Sequence, residues 1–235
     1  MNNISIGIIG GMGPQASALL HTLIVQAATS QMGVQQASDF PLITHVSIPA
    51  IDFISNPELR HQNRGLLGRA VRTLQTNRPD AVVVACNTAH LLVDELPELS
   101  SLPLISLPEV TVAEAQRQGL TNVGLLASPT TIQTGLYHHI ADRHKVTLIT
   151  LDQHDQDITE SIIRNVIAGQ SNKREHARLE KLISKLLANG AEKVILGCTE
   201  LSVLGHDLST KQTINPLQVT VDTVVDIARK RSIAS

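Results

Sequence analysis

Short apolar runs alternate with longer stretches whose apolar positions recur every three or four residues, and this alternation fills most of the chain. The first run, Ile4 to Ile9, breaks on Gly10-Gly11-Met12-Gly13-Pro14 and is followed by a helical pattern from Gln15 to Ser30. Pro14 suits the first turn of that helix, where a missing N–H leaves nothing unpaired. Runs at Leu42–Ile48, Ala81–Ala85 and Leu104–Leu107 read as buried strands. Helices are expected at 58–76, from Thr88 to before Pro97, and at 109–118, with an irregular segment from Pro49 to Pro57. The pattern restarts at Asn122–Ala127 and continues with Ser128-Pro129-Thr130-Thr131, a single helix to Arg143, and a strand at Val146–Leu151. Helices at 156–168 and 174–189, a strand at Lys193–Gly197 and a last helix from Pro216 to Arg229 complete it. Leu179, Leu182, Ile183 and Leu186 keep helical spacing, and Gly190 ends their helix. Strands alternating with helices predict an α/β fold with parallel sheets and right-handed crossovers.

The restart has the form of an internal duplication. Ile6-Gly7-Ile8-Ile9 matches Val123-Gly124-Leu125-Leu126 at an offset of 117, and Val82-Val83-Val84-Ala85-Cys86 matches Val194-Ile195-Leu196-Gly197-Cys198 at an offset of 112. Two similar α/β units of Rossmann-like or flavodoxin-like type are therefore expected, related by a pseudo-twofold and facing each other across a cleft. The first would comprise residues 1–112 plus 213–235 and the second 113–212, with the strand near 212–215 and the last helix returning to the first half.

Composition narrows the function. A formal charge of -2 and scattered Lys and Arg give no footprint for nucleic acid. With no Trp, one Tyr and two Phe, the core must be aliphatic, and base stacking lacks material. No run approaches the roughly 18 apolar residues of a membrane span, and the N-terminus lacks a signal-peptide pattern. A cytoplasmic protein is expected, in which the two cysteines stay reduced and serve chemistry rather than a disulfide.

Those cysteines are the centre of the candidate chemistry. Each ends a buried run and is followed by polar residues: Cys86-Asn87-Thr88-Ala89-His90 and Cys198-Thr199-Glu200. Strand ends of this kind are where open α/β sheets bind ligands. A pair of thiols on opposite walls can take a proton from one face of a carbon and deliver one to the other, exchanging roles for the mirror-image substrate. An unperturbed thiol pKa of about 8.5 lets one thiolate and one thiol coexist near neutral pH, with strand-to-helix turns supplying N–H groups to the anion.

Together Gly10-Gly11-Met12-Gly13-Pro14, Cys86-Asn87-Thr88-Ala89-His90, Leu125-Leu126-Ala127-Ser128-Pro129-Thr130-Thr131 and Gly197-Cys198-Thr199-Glu200-Leu201 resemble the signature stretches of the cofactor-independent aspartate/glutamate racemase family. The resemblance covers nearly the whole chain. It implies two α/β domains with the active site in the interdomain cleft, a homodimer, a small amino-acid substrate, and no cofactor or metal. It implies Cys86 and Cys198 as the catalytic pair, and Asn87, Thr88 and Thr199 as ligands of the substrate's α-carboxylate and α-amino group. Met12, Thr130 and Thr131 would line the cleft, with His90 and Glu200 behind the thiols to orient or tune them. The chain departs from aspartate-specific members at two places. Ile48-Pro49-Ala50-Ile51-Asp52-Phe53 lacks their arginine, and Asn165-Val166-Ile167-Ala168-Gly169 carries Ile167 where their lysine is expected. Arg60, Arg64 and Arg164 are the candidates to replace that charge, and other substrates of the wider superfamily (other amino acids, hydantoins, maleate) stay open.

Other readings explain less. A buried, unreactive cysteine is common, but two in equivalent places, each followed by polar residues, are not. Zinc would need more ligands near Cys198. A Cys86/His90 nucleophile–base pair leaves Cys198 without a role. Gly11-Met12-Gly13-Pro14-Gln15-Ala16 fits a permissive dinucleotide fingerprint, as an NAD-binding oxidoreductase would require, yet the acidic residue expected about 20 positions on is missing. Pyridoxal phosphate would need a lysine, and none lies in these stretches. A non-catalytic small-molecule binder on the same scaffold is the remaining alternative.

Overall fold

The computed structural model describes residues 4–51, 60–93, 95–96 and 102–234. Among them the first half runs β1 (Ser5–Gly10), α1 (Pro14–Gln31), β2 (Leu42–Ser47), α2 (Arg60–Gln75), β3 (Ala81–Val84), β4 (Leu104–Ile105) and α3 (Leu107–Arg117). The second runs β5 (Asn122–Leu126), α4 (Pro129–Gln133), α5 (Leu136–His144), β6 (Thr147–Ile149), α6 (Gln153–Ile167), α7 (Lys173–Ala188), β7 (Lys193–Leu196), α8 (Thr199–Leu204), β8 (Thr213–Ile214) and α9 (Pro216–Ala234). Each half builds a four-stranded parallel sheet, with orders β2-β1-β3-β4 and β6-β5-β7-β8. The order is the same in both halves, as a duplicated unit requires.

The central strands are apolar on both faces because helices cover both faces. Ile6, Ile8, Val83 and Ala85 point toward α1, while Ile9, Val82 and Val84 pack with Leu67, Val71 and Leu74 of α2. In the second half Val194 and Leu196 meet Leu179, Leu182, Ile183 and Leu186 of α7, the residues whose spacing marks that helix in the sequence.

The halves exchange helices. α3 leaves the first sheet and buries Val112 and Ala115 with Val123 and Leu125 of β5. α9 leaves the second sheet and buries Leu217, Val221, Val224 and Val225 with Ile6, Ile8 and Leu20. Those four α9 side chains contribute on the order of 8 kcal/mol of apolar burial as an upper figure. The strand before α9 does not return with it: β8 pairs in parallel with β7 (Val194↔Thr213, Ile195↔Ile214). β8 is the second-half counterpart of β4, and buried Ile214 belongs to the second core.

Two expected helices are also corrected. The helix expected from Thr88 is a 3-10 turn, Thr88–Leu92. The His90 N–H closes the tighter turn on the Asn87 carbonyl at 3.0 Å, and the His90 ring donates to the Cys86 and Asn87 carbonyls. The helix expected to follow Thr131 and run to Arg143 is interrupted by Gly135 at φ 66°, which separates α4 from α5. The irregular segment from Pro49 and the start of the helix at 58 lie mostly outside the described residues.

The glycine turn after β1 has little freedom. Gly11 sits at φ 90°, and a Cβ there would lie 2.1 Å from the Ile48 carbonyl oxygen. Gly11→Ala is expected to destabilise the protein by more than about 2 kcal/mol, from the positive φ and the backbone clash together. Urea unfolding at pH 7 measures this, and a change under about 0.5 kcal/mol would contradict it.

Candidate active site

β3 ends at Val84 and β7 at Leu196, and in each half the second residue beyond the strand is a cysteine. The two ends open onto one cavity of about 390 Å³. Cys86, Asn87 and Thr88 line it from the first half, and Cys198, Thr199 and Glu200 from the second. The glycine turn adds Met12. Both cysteines are free and buried, and they are close enough that charge on Cys86 raises the pKa of Cys198.

Burial governs the resting protonation of both thiols. It pushes Cys86 up to about 12; the Glu200 carboxylate adds to this, and the N–H groups of Ala89 and Thr88 pull partway back. Burial likewise carries Cys198 well above the ordinary thiol range, and the charge of Glu200 carries it further. The Cys198 Sγ–H donates to Glu200 Oε2 at 2.9 Å, and the Thr199 hydroxyl donates to the same oxygen at 3.4 Å. Burial raises the Glu200 carboxyl too, opposed by the Cys198 thiol and by the amides of Glu200 and Gly13. In its resting state the site holds two neutral thiols, one already hydrogen-bonded to a base.

Asn87 is aimed by a residue from the other half. The hydroxyl of Tyr137 on α5 donates to Asn87 Oδ1 at 2.8 Å. Asn87 Nδ2 is buried and has no hydrogen-bond partner among the described residues. An unpaired buried donor is costly, so this one calls for an acceptor from a ligand in the cavity. Tyr137 was not foreseen as a site residue, although it is the sole tyrosine of the chain and fully buried.

Thr88 Oγ1 lies 2.9 Å from Thr131 Oγ1 and 3.2 Å from Ser128 Oγ, and Ser128 Oγ donates to Thr131 Oγ1 at 3.0 Å. Thr131 therefore stands behind Thr88, as part of a hydroxyl triangle that joins the halves. Thr130 is buried on α4, and its carbonyl accepts from the Thr134 hydroxyl. Neither threonine is on the cavity wall.

His90 faces away from the cavity. Its Nδ1 lies 2.9 Å from the Cys86 carbonyl and 3.2 Å from that of Asn87, so it carries the proton and donates. Its Nε2 accepts from the Leu107 N–H at 3.3 Å. Leu107 opens α3, whose preceding residue Ser106 makes no side-chain cap. The imidazole thus caps α3 while pinning the backbone on which Cys86 and Asn87 stand. A second proton would aim Nε2–H at the Leu107 N–H, and burial holds the ring's pKa down to about 4.

Two elements complete the rim. Arg164 and Ile167 of α6 line the cavity, with Ala50 and Ile51 from the segment after β2. Gln15 Nε2 donates across the mouth to the Ile167 carbonyl at 3.1 Å. Arg64 is not on the wall, and the side chain of Arg60 lies outside the described residues. The glycine turn is a poor cradle for a pyrophosphate, because Glu200 Oε1 would lie 2.3 Å from a Cβ on Gly13 and puts an anion where the phosphates would sit. Among the described residues no cluster of His, Cys, Asp or Glu is placed to hold a metal, and no helix is long and apolar enough to cross a membrane.

The family model for Asp/Glu/hydantoin racemases matches residues 9–224. The broad specificity amino-acid racemase RacX of Bacillus subtilis (strain 168) is 25% identical over 204 residues, covering 86% of this chain and 88% of that protein. Among solved structures, Picrophilus torridus aspartate racemase superposes with a TM-score of 0.82 at 22% identity, over 96% of this chain and 94% of the other. A putative Asp/Glu racemase from Yersinia pestis gives a TM-score of 0.76 at 25% identity, over 96% and 99%. The chain belongs to the Asp/Glu/hydantoin racemase family and is an isomerase.

The buried neutral imidazole makes a prediction for stability. His90 has a folded pKa of about 4, below its ordinary value of 6.5, so between these values the unfolded chain binds more protons and stability falls as pH falls. The full loss across that window is on the order of 3 kcal/mol. Urea unfolding between pH 7 and pH 4.5 is expected to show this in the wild type and much less of it in His90→Asn. Equal slopes in the two proteins would refute the assignment.

Proposed function

We propose that this racemase-family protein inverts the α-carbon of an amino acid by two-base proton transfer between Cys86 and Cys198, without a cofactor. The observation that carries the reading is the pair of free, buried thiols at equivalent strand ends of a duplicated fold, opening onto one cavity that the unpaired Asn87 amide also lines. The relative RacX, by name a broad-specificity amino-acid racemase, supports an amino-acid substrate.

The α-carboxylate accepts from Asn87 Nδ2, with Thr88 and Thr199 beside it. One sulfur, as thiolate, takes the α-hydrogen as a proton. The C–H electron pair moves into the carboxylate, where the hydrogen bonds to it strengthen. The opposite thiol then gives its proton to the other face of the carbon. One S–H bond forms and one breaks, so the enzyme ends with its thiol and thiolate exchanged. Cys198 loses its proton to Glu200 when it serves as base, and Cys86 loses its proton to solvent through the open cavity when it does.

Energetics explain why the substrate is needed to start this. A thiol at about 12 costs about 7 kcal/mol to ionise at pH 7. An ammonium about 4 Å away returns on the order of 4 kcal/mol at a near-surface effective dielectric. The substrate's own α-ammonium thus lowers the cost of ionisation to about 3 kcal/mol, so a small thiolate fraction forms once substrate is bound. The free enzyme stays protonated and inert toward oxidants.

Cys86→Ala and Cys198→Ala are each expected to reduce racemisation, followed by loss of optical rotation, by at least about a thousandfold. Near-normal turnover by either variant would sink the two-base mechanism. Because both thiol pKa values are raised, kcat/KM should climb with pH between about 6 and 9, where only the thiolate form is active. A profile flat above pH 7 would show that the free thiols ionise easily. Tyr137→Phe leaves Asn87 free to rotate and should lower kcat/KM about tenfold while both thiols stay titratable by a thiol reagent in the unfolded protein. Unchanged kinetics would remove Tyr137 from the site.

A further inference from the structure

We propose that the substrates are α-amino acids with uncharged, aliphatic side chains. This rests on the racemase reading above and assigns its substrate class. The floor of the cavity is polar and is taken up by the reacting end of the substrate. With the α-carbon between the two thiols and its carboxylate on the Asn87 amide, the side chain is left the remaining wall.

That wall is apolar. Met12, Pro14, Ala50 and Ile51 form it from the first half and Ile167 from the second. Three large apolar side chains are exposed among the described residues: Leu42, Ile51 and Ile167. Two of them, at 37% and 38% exposure, stand at this cavity, one from each half. Apolar surface left open on the walls of a cleft gains most from a ligand group that covers it.

The charge on the wall is already engaged. Arg164 is the one basic side chain on it among the described residues. Glu160, one turn earlier on α6, accepts from Arg164 Nε at 2.8 Å and Nη2 at 2.7 Å. The Arg164 side chain is 45% exposed and so sits at the rim rather than in the interior. A substrate carboxylate laid on this wall would have to share Arg164 with Glu160. It would also bring a third anion into a cavity that already holds Glu200 and the substrate's α-carboxylate. An aliphatic side chain covers Ile51 and Ile167 and disturbs neither ion pair nor carboxylate.

The test is loss of the α-proton signal in deuterated buffer, with the full-length protein and each of L-leucine, L-methionine, L-valine, L-lysine, L-aspartate and L-glutamate offered singly. The best aliphatic substrate is expected to exceed aspartate and glutamate by at least about tenfold in kcat/KM, the scale on which a pocket discriminates side chains. Ile167→Lys, which puts a cation on the same wall at an exposed position, should narrow that gap by about tenfold or more. If aspartate, glutamate or lysine exchanges fastest, the substrate class is wrong and the racemase reading stands. If no amino acid exchanges, the racemase reading fails and takes this inference with it. A folded Ile167→Lys enzyme with unchanged substrate ratios overturns the assignment of this wall to the side chain. The wild-type panel decides the class on its own.

Discussion

Everything at the site depends on two sheets being held with their strand ends toward one cavity, and the exchange of α3 and α9 is what holds them. Each helix follows a strand of one sheet and buries its apolar face in the core built by the other. Separating the halves would strip both cores of a layer, so the relative position of Cys86 and Cys198 is set by hydrophobic burial rather than by contacts between the thiols. The polar contacts across the seam then refine it. The Thr88–Ser128–Thr131 hydroxyls and the Tyr137–Asn87 bond all cross from one half to the other. With the backbone fixed in this way, the thiols need no disulfide or metal to bring them together.

The local parts of this arrangement are legible in the sequence. β-branched runs that stop at a cysteine are visible because strand burial and strand ending are both encoded within a few residues. The glycine turn and the repeated strand motifs are visible for the same reason. What depends on the tertiary fold is not. His90 reads as a residue that orients or tunes a thiol; it holds the backbone at Cys86 and Asn87 and also caps a helix, a role the sequence hides because the Leu107 N–H it serves is brought close only by folding. The expected helix at Thr88 is a 3-10 turn whose first carbonyl, that of Asn87, accepts from both the His90 N–H and the His90 ring. The strand at 213–214 carries no mark of which sheet it joins, and only the symmetry of the two strand orders explains its place beside β7. Tyr137 lies fifty residues from Asn87 and offers no spacing signal; its rarity was the only hint.

The electrostatics of the cavity run against the usual expectation for reactive cysteines. Backbone N–H groups do reach both sulfurs and do lower the pKa values, but burial outweighs them. Glu200 acts in the same direction as burial on Cys86 and Cys198 alike, so the pair is most reluctant to ionise when the cavity is empty. Among the described residues the buried Asn87 Nδ2 donor is left unpaired, beside the Glu200 carboxylate that accepts from Cys198.

The near-absence of aromatic residues has a practical consequence. With no tryptophan and one tyrosine in the chain, ultraviolet emission from the folded protein arises essentially from the Tyr137 ring. That ring is fully buried, and its hydroxyl is bonded to the amide that faces the cavity. The protein therefore carries a built-in optical probe one hydrogen bond behind the cavity wall, so a change at that wall can be followed without any label.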